Sequence, residues 1–91
     1  MLFMVIERFR SGRPDEVGHR FRERGRLLVE GAEYLDSWMI ADGSACFQLM
    51  RADTLAHLQP WLDAWSDLVD FEVTPIETSS EFWLRHPAAN E

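Results

Sequence analysis

The sequence predicts an α+β fold, a four-stranded antiparallel sheet with two helices on one face, and three observations carry that prediction. Four runs rich in apolar and aromatic residues have strand length. Two segments between them repeat apolar residues at helical spacing, and Asp42-Gly43 forms a hairpin signal between the second and third runs. The resulting order is strand, helix, strand, strand, helix, strand. At 91 residues and 10.6 kDa the chain has room for one domain, read as residues 1–86. Its net charge of -7 and pI near 4.8 argue against a nucleic-acid binder.

Met1 to Phe9 is apolar on both parities until Glu7, the pattern of a central strand covered on both faces. Ser11 to Asp15 reads as a turn. Beyond it Val17, Phe21, Gly25 and Leu28 line one helical face, with Pro14 near a favoured first-turn position. Gly18 and Gly25 flank Phe21 and are expected to let this helix approach the sheet closely, and Gly31 is expected to end the segment. Glu33 to Ala41 and Ala45 to Ala52 are the second and third strands. Asp53 is the expected N-cap of a second helix whose apolar face runs through Leu55, Leu58, Trp61, Leu62, Trp65 and Leu68. Pro60 should bend that helix or restart it, because its ring removes the hydrogen bond to the Ala56 carbonyl. Val69 to Thr78 is the fourth strand. Ser79 to Arg85 reads as a short helix capped at Ser79 or Ser80, with Phe82 and Trp83 as a docking pair, and residues 87–91 as a frayed tail.

This βαββαβ order is ferredoxin-like. Leu2, Met4 and Ile6 alternate with Phe3, Val5 and Phe9 on the first strand, as Phe47 and Leu49 do with Cys46 and Met50 on the third, so both sheet faces are apolar. Two helices cover one face. The other predicts a homodimer with sheets packed face to face, since a soluble monomer rarely leaves so large an apolar patch in water. The single Cys46 excludes an internal disulfide and favours a reducing, cytoplasmic setting. The six apolar residues that begin the chain are too few for a membrane span and have no basic leader.

Several stretches carry a family resemblance: Met1 to Arg8, Glu30-Gly31, Ser37-Trp38, Asp42-Gly43 followed by Phe47-Gln48, and Trp65-Ser66-Asp67-Leu68 through Glu72-Val73-Thr74-Pro75. In these the whole chain resembles the dimeric α/β-barrel superfamily, and within it a family of small bacterial proteins of unknown function. The superfamily includes cofactor-free monooxygenases of polyketide quinols, haem-degrading and haem peroxidase-like enzymes, and small lactone isomerases. Fold-level likeness implies a dimeric α/β barrel and leaves the choice among those chemistries open.

The residues themselves offer a few candidates. Glu7, Gln48 and Glu72 stand on three strands expected to be neighbours, where they would converge. Glu7 or Glu72, desolvated in an apolar barrel, would serve as a catalytic proton acceptor from a quinol or enol. The alternative is solvated carboxylates paired with Arg8, Arg10 or Arg51. Trp38, expected on the same face as Tyr34 and Asp36, is either a cavity wall or an edge or dimer contact. His57 borders the apolar face of the second helix one turn before Trp61, either in a haem or metal role or as partly exposed packing; His19 is expected on the solvent side of the first helix, and His86 near the tail. The three histidines match no metal-binding spacing, and nothing marks a haem ligand, so no cofactor is expected. Residues 8–26 hold seven of the nine arginines, and Arg20, Arg22, Arg24 and Arg26 give the first helix a basic stripe, read either as steering an anionic ligand or partner or as a solvated helix surface with a Glu16–Arg20 pair. Trp61 and Trp65 are expected in the core, and Cys46 as a small buried hydrophobe.

Ligand-binding residues are accordingly expected at Tyr34, Trp38, Gln48 and His57, around a small aromatic or apolar ligand. The other readings are a cofactor-independent monooxygenase or isomerase and a structural interaction module. An enzyme requires an internal cavity of roughly 300 Å³ or more, whereas an assembly module can be packed solid.

Overall fold

The first apolar run forms β1 (Leu2–Phe9), which in the computed structural model is hydrogen-bonded along both edges. The structure describes residues 1–86, and the expectation for 87–91 lies outside them. β2 (Ala32–Met39), β3 (Ala45–Ala52) and β4 (Val69–Ile76) complete an antiparallel sheet of order β2-β3-β1-β4. α1 (Asp15–Arg24) and α2 (Leu55–Trp65) supply the helices of a ferredoxin-like βαββαβ arrangement, and α3 (Ser79–Arg85) follows β4.

Opposed residues in antiparallel strands share a face, so the register sorts the sheet into two surfaces. Phe3, Val5, Glu7 and Phe9 are buried on the inner face, beside their partners Met50, Gln48 and Cys46 on β3 and Val73, Phe71 and Val69 on β4. Leu58, Trp61, Leu62 and Trp65 of α2 close the core over that face. Leu2, Met4 and Ile6 lie half-buried on the outer face with Phe47 and Leu49.

Several local expectations are corrected. Gly25, at φ 71°, ends α1 after Arg24, so Gly25 and Leu28 leave the helix and Leu28 is exposed. The chain then turns at Leu27, the one non-glycine residue with positive φ among the described residues, and Leu27 and Val29 pack on the core instead. A Cβ at Gly18 or Gly25 would meet nothing within 4 Å, so neither glycine serves close helix–sheet approach. Thr54, not Asp53, is the N-cap of α2, and the helix does not restart at Pro60 but continues through it. Thr78 caps α3 by accepting from the Glu81 backbone N–H at 3.1 Å, because β4 ends at Ile76 and leaves Thr78 extended before the helix. Arg20 reaches off α1 to Asp67 rather than pairing with Glu16 along it.

A register shift between Tyr34 and Asp36 carries the largest consequence. Tyr34 opposes Met50 and Asp36 opposes Leu49, which leaves Leu35 as an extra residue. Side chains beyond it are flipped by one parity. Tyr34, Ser37 and Met39 therefore belong to the inner face, while Asp36 and Trp38 belong to the outer one, and the expected Tyr34–Asp36–Trp38 cluster does not form.

Candidate functional site

A cavity of about 240 Å³ opens between the inner sheet face and the two covering helices. α1 is the reason it exists. That helix buries no side chain, and Gly18 presents no side chain toward the space its neighbours leave, so helix and sheet stand apart there. Glu7, Cys46 and Gln48 form the floor, Trp61 and Trp65 the wall from α2, and Phe21, 44% exposed, the mouth.

Glu7 is buried because strand alternation places it between Val5 and Phe9, and β3 and β4 flank it with Cys46 and Phe71. No described residue hydrogen-bonds its carboxyl. Burial pushes it from an ordinary 4.5 up to about 7, with the Arg26 charge pulling the other way. At neutral pH Glu7 is therefore divided between acid and carboxylate. Cys46 beside it is pushed up to about 11, first by burial and then by the Glu7 charge, so the thiol stays protonated and is no nucleophile.

Arg26 follows the end of α1, and the cavity holds its side chain. Its Nη1 donates to Gln48 Oε1 at 2.9 Å, and its Cζ stands 3.5 Å from the Tyr34 ring centroid and 5.2 Å from that of Phe21. Its carbonyl accepts from both wall indoles, Trp61 Nε1 at 3.1 Å and Trp65 Nε1 at 2.9 Å. Sequence reasoning placed Arg26 in a basic stripe on the first helix and not among the site residues. The signal that would have found it is Gly25, a helix-ending residue immediately before it.

The expected site residues are divided by this geometry. Glu7 and Gln48 line the cavity together. Tyr34 supports it from behind, through Arg26 and through a 2.7 Å hydrogen bond with Ser37, itself a lining residue. Glu72 opposes Ile6 on the outer face and pairs with Arg8 at 2.9 Å, exposed to water, so the expected convergence of Glu7, Gln48 and Glu72 fails by sheet parity. Trp38 is 52% exposed on that same outer face. His57 lies at the start of α2 with Nδ1 2.7 Å from Thr54 Oγ1, and its ring packs against Gly31, where a Cβ would come within 2.9 Å of Cδ2. His19 is exposed beside Glu23, and among the described residues no three His, Cys, Asp or Glu side chains gather to hold a metal ion.

A wider, open groove of about 1030 Å³ runs between α3 and the Leu2–Ile76 end of the sheet. Its arginines are already matched, Arg85 with Glu77 and Arg51 with Glu33, and the Met1 ammonium donates to the Ala52 carbonyl at 2.8 Å. No described helix is long and apolar enough to cross a membrane.

No curated protein and no solved structure matches the chain. A family model does, over nearly the whole chain: the chain belongs, through residues 1–88, to the family described as Domain of unknown function (DUF3303).

Proposed function

We propose that this protein is a homodimer of the dimeric α/β-barrel type that binds a small aromatic or otherwise apolar molecule in the cavity of each protomer, with Glu7 exchanging a proton with it. The observation that carries the reading is Glu7 itself, a buried carboxyl without a hydrogen-bond partner among the described residues, facing an aromatic-walled space. Apolar walls with a few convergent polar groups are the usual composition of a ligand site. At about 240 Å³ the cavity is smaller than the roughly 300 Å³ expected of an enzyme pocket, which weighs for binding over catalysis and for a single-ring occupant. An apolar cavity of roughly 150 Å³ already accepts benzene.

Dimerisation is supported by the outer sheet face. Met4, Ile6, Phe47, Leu49 and the exposed Trp38 form an apolar stripe there, with the ion pairs Arg8–Glu72 and Arg51–Glu33 toward its two ends. A second copy turned through a two-fold axis meets that stripe with the same stripe, and the charged ends with complementary charges. A cytoplasmic setting goes with the lone reduced Cys46.

The carboxyl near neutrality also favours a second reading, a cofactor-independent isomerase or monooxygenase in which Glu7 takes a proton from an enolisable or quinol substrate. Titrating Trp fluorescence with phenol, indole and small quinols tests the binding reading, because Trp61 and Trp65 wall the cavity. Saturable quenching that disappears in Trp61→Phe/Trp65→Phe is expected, and no response from any compound overturns it. Turnover of a bound quinol that is lost in Glu7→Gln would establish the catalytic reading.

A further inference from the structure

We propose that Arg26 makes the cavity selective for a small monoanion, an aromatic or enolic acid received as its carboxylate or enolate; the inference rests on the cavity being a ligand site. Among the described residues Arg8, Arg10, Arg13, Arg20, Arg51 and Arg85 each form an ion pair. Arg22 and Arg24 are unpaired but exposed. Arg26 alone is both half-buried and without a carboxylate partner, and it lines the cavity. A guanidinium has five N–H donors, and the side-chain acceptor that meets them here is Gln48 Oε1. The remaining donors are not sealed off from the open space of the cavity, where an anionic oxygen can meet them in a partly desolvated place and such a bond is strong.

The residue is also pre-ordered for that task. Two indole N–H groups hold its carbonyl, Gln48 holds one nitrogen, and the Tyr34 ring lies 3.5 Å from its Cζ. Little side-chain entropy remains to be lost on binding. One guanidinium in an aromatic enclosure suits a single negative charge on a ring-sized body, whereas a phosphate dianion would keep its second charge uncompensated there.

Glu7 gives the site its pH dependence. Facing it are Arg26 from the loop after α1 and Cys46 from β3, with Tyr34 of β2 beyond Arg26. α1 and α2 contribute Val17, Gly18, Phe21, Trp61 and Trp65, none of them titratable. Below about pH 7 Glu7 is a neutral acid that leaves the Arg26 charge uncompensated and donates a hydrogen bond to the anion. Above it, the Glu7 carboxylate competes with the ligand for Arg26.

The test is calorimetric titration with benzoate and with its neutral isostere benzamide, at about pH 6 and about pH 8, on the wild-type protein and on Arg26→Met and Glu7→Gln. Benzoate is expected to bind at least about tenfold more tightly than benzamide at the lower pH. That preference should weaken several-fold at the higher pH, with proton uptake visible as a dependence of the heat on buffer. Arg26→Met should bring the two probes to parity while benzamide binding persists, and Glu7→Gln should keep the preference but lose its pH dependence. Equal binding of the two probes to the wild-type protein overturns the inference and leaves the cavity reading standing. Absence of binding by both removes the cavity reading and this one with it. The wild-type comparison decides the matter even if Arg26→Met does not fold.

Discussion

Arg20 grips Asp67 with both ends of its guanidinium, Nη1 to Oδ1 at 2.8 Å and Nη2 to Oδ2 at 2.6 Å. The same Nη1 donates to the Ala64 carbonyl at 3.1 Å, and Cζ lies 5.4 Å from the Trp65 ring centroid. α1 fully buries no side chain and sets only Val17 against the core, so this fork to Asp67, just past the end of α2, adds a second tie for a helix with little apolar packing. Helix stability normally comes from a buried face, and a helix held at a polar point can swing about it.

Arg20→Ala is therefore expected to free α1 selectively. Amide exchange across Val17 to Arg24 should accelerate by roughly tenfold or more while the β1 and β3 amides keep their protection. The hydrogen bond from Arg20 holds Asp67 below the usual carboxylate range, so the latch persists at neutral pH and is lost only as pH falls through that lowered value. Uniform acceleration over sheet and helix alike would show that Arg20 stabilises the whole domain and not this helix.

Glu7 should make the fold more stable in mild acid than in mild base. Its folded-state value, about 7, lies above the ordinary 4.5, so between the two the native state binds more protons than the unfolded one. The stabilising contribution is complete below the ordinary value and is lost as pH rises through about 7. The displacement corresponds to at most roughly 3 kcal/mol. Urea denaturation of Glu7→Gln should show it about 2 kcal/mol more stable than wild type at pH 8, with the difference closing toward pH 5. A constant difference across that span would mean the carboxyl is not desolvated as described.

How far the sequence reaches is clearest at three positions. The burial of Glu7 was open in the sequence, where its parity with Val5 and Phe9 spoke for burial and its place near a strand end for a solvated carboxylate, and the structure buries it. Trp38 was misplaced because one extra residue at Leu35 reverses every side chain after it, and no local composition marks a bulge of that kind. Arg26 was hidden by a helical pattern that continued in the sequence through Leu28 after the helix had stopped. Its turn depends on a positive φ at Leu27, a conformation a leucine does not announce. Fold class follows from averages over many residues and tolerates such local reversals, whereas a site depends on which way single side chains point.

The two indoles that share the Arg26 carbonyl should behave as a coupled pair. Either Trp61→Phe or Trp65→Phe leaves that carbonyl one donor, so each should cost only about 1 kcal/mol. Losing both strands a partly buried acceptor and releases the loop that carries Arg26. The double variant should then exceed the sum of the singles by about 1 kcal/mol in denaturant unfolding. Strict additivity would show that water replaces the indoles without loss.

The outer face supplies the last prediction. Met4 stands in the middle of that surface, opposite Leu49 on β3 and Thr74 on β4, and no element of the described chain packs over it. If two sheets meet there, Met4 lies near their common axis and faces its own copy or a close neighbour. Met4→Arg would then bring two like charges together in a dehydrated interface, where an unpaired charge costs several kcal/mol, equivalent to a rise of about a hundredfold or more in the dissociation constant. Sedimentation should find the wild-type protein at twice 10.6 kDa and the variant at 10.6 kDa under the same conditions. The inner core is untouched by the change, so far-ultraviolet circular dichroism should be preserved. A wild-type protein that sediments as a single chain at micromolar concentration would falsify the face-to-face dimer.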